Sequence, residues 1–243
     1  MPADEKATGP ESVWTRPRPR QREHLTREQI VTEAIRLLDA EGIEALSMRR
    51  LGTSLGAAAT SLYRHVAGKD ELIALAVDEV YGEPDVPAAV AGAAWRAAVA
   101  RTADELRAMV LRHPWVAPEM GQVGLVHIGP NAMRMVSGLL AQFEAAGFPV
   151  EEKDRAMGTL MAYVLGVATA ESAYLSLIAR SGKTEQEWVA ALRPSFDEAA
   201  REHPRLTEGS TAQRGVHPRR IRDENFAYGL DRVLDGLAAR LAV

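Results

Sequence analysis

Apolar residues recur at helical spacing along most of this chain. The first apolar stripe has the spacing i, i+4, i+7, i+8 of a helix with one buried face. Its members are Ile30, Ala34, Leu37 and Leu38. Thr26 followed by Gln29 has the spacing of a capping box, and Gly42 comes just after the last turn. The pattern predicts a first helix over 26–40 that ends at Gly42.

Two short helices separated by a glycine turn are predicted next. Ser47 is suited to cap the first of them, and Gly56 is suited to a tight turn that needs a left-handed residue. The apolar stripes of the two helices are Met48, Leu51 and Leu55, followed by Ala59, Leu62 and Val66. Gly68 ends the second short helix, and a fourth helix is predicted over 69–81.

The pattern stays helical to the end of the chain. A proline-containing bend over 82–87 comes first, and we place a domain boundary there. We expect further helices over 88–112, 115–125, 130–146, 150–181, 184–202 and 221–241, with a loop over 203–219. The predicted organisation is a flexible basic arm over 1–24, a small bundle over 25–82 and a larger helical domain over 83–243.

The composition agrees with an all-α fold. Hydrophobic residues make up 47% of the chain but aromatic residues only 5%, and alanine and leucine favour helix over strand. The apolar stretch over 159–179 is interrupted by Glu171, so we interpret it as a buried helix and not as a membrane span. The chain has no cysteine and opens on no apolar leader, from which we expect a reducing, cytoplasmic setting.

The basic charge is concentrated in the predicted arm. The formal net charge is -4, yet four arginines fall within seven residues. They are Arg16, Arg18, Arg20 and Arg22. Arginines spaced by prolines form an extended basic strip that suits a DNA groove or a row of phosphates, as in homeodomain arms. An inert basic tail is the alternative interpretation.

The order short helix, glycine turn, short helix over 47–66 is typical of a helix-turn-helix. Such a motif presents polar and basic side chains of its second helix to the edges of bases. The outward positions of that helix are Thr60, Ser61, Tyr63, Arg64 and His65. We expect Thr60 near base edges, Arg64 on guanine or phosphate, and the Tyr63 hydroxyl on a phosphate oxygen. A plain αα-hairpin with a solvated polar face is the alternative.

Residues 25–82 resemble the DNA-binding domain of the TetR family. The most specific part is LYRHV, followed after Ala67 by Gly-Lys and an acid. The resemblance implies that Ser47 and Arg49 touch phosphates, that the outward positions given above form the recognition face, and that Lys69 anchors a further phosphate. Gly52 stands where such proteins usually place alanine, from which we expect packing looser by about 1 kcal/mol.

The second half resembles the C-terminal domain of the tetracycline repressor subgroup, through segments such as LRHPWVAPEM and MAYVLGVATAESAY. The resemblance implies a homodimer in which the long helix from Val150 and the last helix pack against their twins. The last helix carries an apolar stripe that we expect to meet the partner. Its members are Phe226, Leu230, Val233, Leu234, Leu237 and Leu241.

The same resemblance implies a cavity for a small-molecule inducer in the C-terminal domain. Adaptable apolar walls are expected from Met109, Trp115, Met120, Met133, Met157 and Met161. Polar specificity is expected from Gln122, His127, Asn131 and Glu171. Ordinary core packing is the alternative, and Glu171 could equally be satisfied by a neighbouring helix. His127 lies in a stretch similar to one with a metal-ligating histidine, but shorter spacing to the next helix argues against a magnesium–tetracycline complex, and we expect no cofactor.

Two other classes of protein compete with a regulator. An enzyme would need a catalytic constellation, and the sequence has no P-loop and no HExxH. A helical adaptor that binds only protein is the second rival. The sequence predicts a repressor that binds a pseudo-palindromic operator as a homodimer and is released by an inducer, with activation left open.

Overall fold

The computed structural model describes residues 25–123, 129–203, 205 and 215–241, without the side chains of 93 and 120–123. Within these residues the fold is all helical and contains no strand, as predicted. The helices are α1 (Arg27–Glu41), α2 (Met48–Ser54), α3 (Ala59–Leu62), α4 (Lys69–Val80), α5 (Trp95–Arg112), α6 (Val116–Val123), α7 (Pro130–Ala145), α8 (Val150–Ser181), α9 (Glu185–Ala199) and α10 (Pro218–Ala238).

Helix α1 begins and ends as its local sequence predicts. The Thr26 hydroxyl accepts a hydrogen bond from the Gln29 backbone N–H at 3.2 Å, and the Gln29 side chain accepts one from the Thr26 N–H at 3.0 Å. Gly42 ends the helix with a φ of 79°, which favours glycine. The capping box therefore forms as expected.

The turn between α2 and α3 is tighter than the sequence suggested. Ser47 caps α2, and Gly56 occupies the turn with a φ of 61°. A Cβ atom at Gly52 would lie 2.8 Å from the carbonyl oxygen of Ala57 and 3.2 Å from the nitrogen of Ala59. The expectation that Gly52 loosens the packing is therefore wrong, because the glycine permits a close approach of two backbone segments.

Several predicted helix boundaries differ from the structure, and three of the differences have a clear physical cause. Helix α5 begins at Trp95 and not at 88, because Gly92 adopts a φ of 69° that a continuous helix does not contain. Helix α10 begins at Pro218, inside the predicted loop, because proline is well accommodated in a first helical turn and the His217 side chain caps it. Only 59–62 of the recognition segment is α-helical, and backbone bonds from Arg64 to Ser61 and from His65 to Leu62 continue it as a tighter turn.

Helix α4 joins the small bundle to the larger domain. It packs against α1 on one side and against α6 and α7 on the other, and both sides belong to one continuous hydrophobic cluster. Near its end, Asp78 accepts hydrogen bonds from the backbone N–H groups of Asn131 at 3.1 Å and Ala132 at 3.0 Å. These are orphan donors of the first turn of α7, whose own cap residue Gly129 supplies no side chain.

Helix α8 forms the centre of the larger domain. It packs against α5, α7 and α10, and its inward stripe includes Leu160, Val164 and Ala168. Among the described helices it alone is long and apolar enough to cross a membrane by length and composition, although 28% of the relevant window is buried inside the fold. The opposite face is exposed and made largely of small residues. They are Gly158, Ala162, Gly166, Ala170 and Ala173.

The apolar stripe of α10 faces the inside of its own protomer. Phe226, Leu230 and Leu234 are buried in the core, with no more than 4% of each residue exposed. Val233, Leu237 and Leu241 are half-buried against that core. The expectation that Phe226, Leu230 and Leu234 meet a partner is therefore corrected, because these three are buried in their own protomer, where α10 packs against α8. For Val233, Leu237 and Leu241 the expectation stays a prediction.

Replacing Gly52 by alanine tests the close approach of α2 and α3. Alanine favours helix by about 1 kcal/mol over glycine, so propensity alone predicts a gain in stability. The collision with the Ala57 carbonyl predicts a net loss, because backbone must move to relieve it. Thermal unfolding should therefore show a lower midpoint for Gly52→Ala. Gly236→Ala is the matched control, since its Cβ would meet nothing within 4 Å, and an equal gain in both variants would contradict the prediction.

Candidate DNA interface and ligand-binding domain

The predicted recognition face lies on the outside of the small bundle. Thr60, Tyr63 and Arg64 are exposed, and Tyr63 is a large aromatic residue with 54% of its surface accessible. Ser61 and His65 are half-buried beside them. Leu62 and Val66 fill the core on the opposite side, so the two short helices hold these polar groups outward. The structure thus brings the five predicted recognition residues onto one surface.

The predicted phosphate-contacting residues flank this face. Arg49 is exposed near the start of α2, while the Ser47 hydroxyl accepts the Arg50 backbone N–H at 3.2 Å as a helix cap. Lys69 Nζ donates a hydrogen bond to the carbonyl oxygen of Ile43 at 3.0 Å. This contact ties the start of α4 to the connection between α1 and α2. An ammonium group has three donors, so it leaves two for a phosphate.

Ion pairing divides the arginines of the small bundle into two groups. Arg27 pairs with Glu71 at 2.8 Å, Arg36 pairs with Glu33 at 2.6 Å, and Arg50 pairs with Glu41. These pairs brace the bundle internally. Arg49 and Arg64, in contrast, form no ion pair with any residue that the structure describes. The two arginines on the candidate DNA face are therefore free for an external anion.

The predicted ligand-binding residues whose side chains the structure describes lie in different environments. Met109 is fully buried in the core, whereas Met133 lies at the surface with 59% exposed. Met157 and Met161 are half-buried against the core. Asn131 is held by its backbone against Asp78. Met133 in particular does not form an interior wall.

Glu171 is neutralised by two arginines. Arg107 Nε lies 2.7 Å from its Oε2 atom, and Arg222 Nε lies 2.7 Å from its Oε1 atom. Burial opposes ionisation, but the hydrogen bonds from Arg107 and Arg222 outweigh it and hold the pKa of Glu171 below the usual value of a glutamate. Neighbouring helices therefore satisfy Glu171, the alternative that the sequence left open.

A groove opens between α8, α9 and the start of α10. Its volume is about 690 Å³, within the range of small-molecule sites. Tyr174, Val189 and Ile221 form apolar parts of its lining, and Arg193 and His217 are polar groups there. Sequence reasoning missed this groove, because residues from three separate helices form it and no local motif marks it.

Several predicted functional residues lie outside the described part of the chain. They are the arm arginines Arg16, Arg18, Arg20 and Arg22, together with His127. The backbone of Met120 and Gln122 belongs to α6, but their side chains are outside the description as well.

Sequence reasoning also missed a polar network between the two domains. His113, which follows α5, hydrogen-bonds through its two ring nitrogens to Asp39 of α1 and to Glu83 after α4. Trp115, predicted as a cavity wall, donates its indole N–H to Asp39 at 2.7 Å instead. The available signal was His-Pro-Trp at a helix end, but a spacing of 74 residues from Asp39 hides the partner.

Comparison with known proteins identifies both halves of the chain. The family description "Bacterial regulatory proteins, tetR family" matches residues 30–76, and "Tetracyclin repressor-like, C-terminal domain" matches residues 87–241. The chain belongs to the TetR family. TetR-family membership makes it a DNA-binding transcriptional repressor with a ligand-binding C-terminal domain, and not an enzyme.

Individual TetR-family proteins are similar over most of the chain. The HTH-type transcriptional repressor DrrR1 of Streptomyces coeruleorubidus is 33% identical over 220 residues, which cover 90% of this chain and 79% of that protein. The structure of apo ActR from Streptomyces coelicolor is 28% identical with a TM-score of 0.70, covering 89% of this chain and 96% of ActR. ActR in complex with actinorhodin is 30% identical with a TM-score of 0.69, covering 88% and 97%.

Proposed function

We propose that the protein is a cytoplasmic homodimeric repressor that binds a pseudo-palindromic operator and is released by a small-molecule inducer. Residues 25–82 would read DNA, and residues 83–243 would bind the inducer and the partner subunit. The observation that carries the proposal is the exposed face with unpaired Arg49 and Arg64 and with Tyr63 and Thr60, in a chain of the TetR family.

The chemistry of this face suits the major groove of DNA. A guanidinium without a carboxylate partner can bind guanine or phosphate without first breaking an ion pair. Hydroxyl groups of Thr60 and Ser61 can donate to or accept from base edges, and the exposed phenol of Tyr63 can donate to a phosphate oxygen. Contacts of both kinds are needed, because phosphates set position and bases set sequence.

Substitutions on the recognition face should separate these two kinds of contact. Arg64→Ala should cost about 1–3 kcal/mol of binding and relax sequence preference at one position in each half-site. Tyr63→Phe should weaken binding to all sequences alike. The measurement is titration of duplexes that the wild-type protein selects from a randomised library.

Arg134→Ala is the matched control, because Arg134 is also exposed but lies on α7. It should leave the affinity of the selected duplexes unchanged. If Arg64→Ala behaves like Arg134→Ala while remaining folded, the proposed recognition face is wrong.

The exposed face of α8 supports the proposed dimer. Gly158, Ala162 and Gly166 follow one another at intervals of four residues, so they line one side of the helix. A Cβ atom at Gly158 or Gly166 would meet no atom within 4 Å, so no residue that the structure describes in the same protomer covers these two positions. Small residues let two helix backbones approach closely, and two-fold symmetry would place α8 against its twin.

Arginine in place of Ala162 should therefore disrupt the dimer. A long charged side chain would separate the two helices and would be buried without a partner. Sedimentation should show monomers, and binding to selected duplexes should be lost, since two half-sites must be held together. Val90→Arg is the matched control, because Val90 is an exposed apolar residue away from α8. Dimers of Ala162→Arg that persist at low concentration would show that the interface lies elsewhere.

The proposed inducer is a hydrophobic or amphipathic small molecule. ActR, which is similar over most of the chain, has been crystallised with actinorhodin and with (S)-DNPA. We infer a ligand site in the C-terminal domain, either among the helices of residues 88–181 or in the groove beside α9. Polar and apolar groups line that groove, as amphipathic ligands require.

An inducer that releases the protein from DNA must bind the free protein more tightly than it binds the protein–DNA complex. Linkage makes the effect reciprocal, with a factor typically of about 5–150. A panel of amphipathic polycyclic compounds, with actinorhodin among them, should be titrated against both forms by calorimetry. Equal affinity for both forms, for every compound that binds, would exclude release by an inducer and leave DNA binding intact.

A further inference from the structure

We propose that His113 positions the DNA-binding domain relative to the C-terminal domain, by holding Asp39 of α1 and Glu83 after α4 at one corner. This positioning role goes beyond the proposed function. Its consequence for DNA binding rests on the proposed function, whereas its consequence for domain geometry does not.

Both ring nitrogens of His113 face carboxylate oxygens. Nδ1 lies 2.7 Å from Asp39 Oδ1, and Nε2 lies 2.9 Å from Glu83 Oε1. Ionised carboxylates only accept hydrogen bonds, and a neutral imidazole has a single N–H. Both contacts are therefore hydrogen bonds only when the ring is an imidazolium. With 8% of its side chain exposed, His113 has little access to replacement partners in water.

Asp39 is the point where the small bundle meets this corner. Its Oδ1 atom also accepts the Trp115 indole N–H at 2.7 Å. Within 25–123, 129–203, 205 and 215–241, no other side chain of α1, α2 or α3 hydrogen-bonds to the C-terminal domain. In this part of the chain, Asp39 is thus the one residue of α1 to α3 whose side chain makes directional polar contacts with that domain, to His113 and to Trp115.

The local sequence fixes His113 at a corner. Pro114 disfavours helix at the preceding residue, so α5 ends at Arg112 and His113 turns out of it with φ of -120° and ψ of 70°. One turn earlier, Met109 is fully buried in the core. Arg112 adds a second contact to Glu83 at 2.7 Å.

A displacement of the C-terminal end of α5 would therefore be passed on both to α1 and to the C-terminal end of α4. Helix α5 packs along α8 in the centre of the C-terminal domain. Through His113 its end holds α1 by Asp39, and through His113 and Arg112 it holds the end of α4 by Glu83. A change in the core that moves this corner moves α1 and α4 together.

Distance measurement within one protomer tests the positioning directly. The chain has no cysteine, so spin labels at Glu44→Cys and Arg134→Cys report one distance between exposed sites in the two domains. Labelled protein is diluted with unlabelled protein, so that distances between protomers do not contribute. His113→Gln and Asp39→Asn should broaden the distribution, because neither can form the charged double contact.

Asp85→Asn is the matched control. It removes one negative charge two residues from Glu83, but Asp85 pairs with Arg101 of α5 and does not contact α1. Its distance distribution should equal that of the wild type. Asp39→Asn, which keeps the His113 side chain, supplies the decisive measurement if His113→Gln does not fold.

Binding to duplexes selected by the wild-type protein gives the functional measurement. His113→Gln and Asp39→Asn should each weaken binding by about fivefold or more, and the double variant should lose no more than the stronger single variant. The thermal unfolding midpoint of each variant is compared with that of Asp85→Asn. This control loses one negative charge without losing a contact to α1.

Two results would overturn the proposal. One is a distance distribution for folded His113→Gln or Asp39→Asn that equals that of Asp85→Asn. The other is weakened DNA binding without any change in the distribution, which would show a role in stability alone. If the wild-type protein selects no DNA, the proposed function fails, while the distance measurement still decides whether His113 positions the two domains.

Discussion

The fold depends on helix α4 being buried on two sides at once. Asp70 and Glu79 are the only exposed residues among its twelve, and its apolar side chains enter both the small bundle and the larger domain. Burial of apolar surface is non-directional, so α4 gains stability from both neighbours but is not oriented by them. The orientation of α4 comes from hydrogen bonds at its two ends. Lys69 donates to the Ile43 carbonyl at the start, and Asp78 accepts from the backbone of α7 near the end.

A second set of directional contacts holds the far side of the C-terminal domain together. Glu171 of α8 binds Arg107 of α5 and Arg222 of α10, and Arg222 also binds Glu185 of α9. Buried charges are costly when unpaired, so separating these four helices would expose the fold to the cost of unpaired charges. The groove beside α9 is built on this cluster, since Glu171, Glu185 and Arg222 form part of its lining. A ligand there would act next to groups that fix the helix arrangement.

Local signals in the sequence predicted much of the fold. Contacts between residues remote in sequence could not be predicted in this way. Thr26, Ser47 and Gly42 mark helix ends because caps depend on neighbours within a few residues. Gly92 was misread, because a left-handed glycine does not show in an apolar pattern. The stripe of α10 was recognised as apolar, but periodicity does not say whether a face meets its own chain or a partner. Among the candidate site residues, the outward face of α3 could be predicted from the periodicity of one helix. The contact of Trp115 could not, because its hydrogen-bond acceptor Asp39 is remote in sequence.

The contact between Asp78 and α7 also constrains how this chain can change during evolution. A Cβ atom at position 129 would collide with the Asp78 carboxyl group, and that carboxyl group caps the first turn of α7. A side chain at 129 is therefore acceptable only after the acid at 78 has been lost or moved. Once a side chain is present at 129, the acid cannot return to its place. The residues at 78 and 129, 51 positions apart, are therefore sterically coupled, and the order of substitutions decides which pairs can be reached.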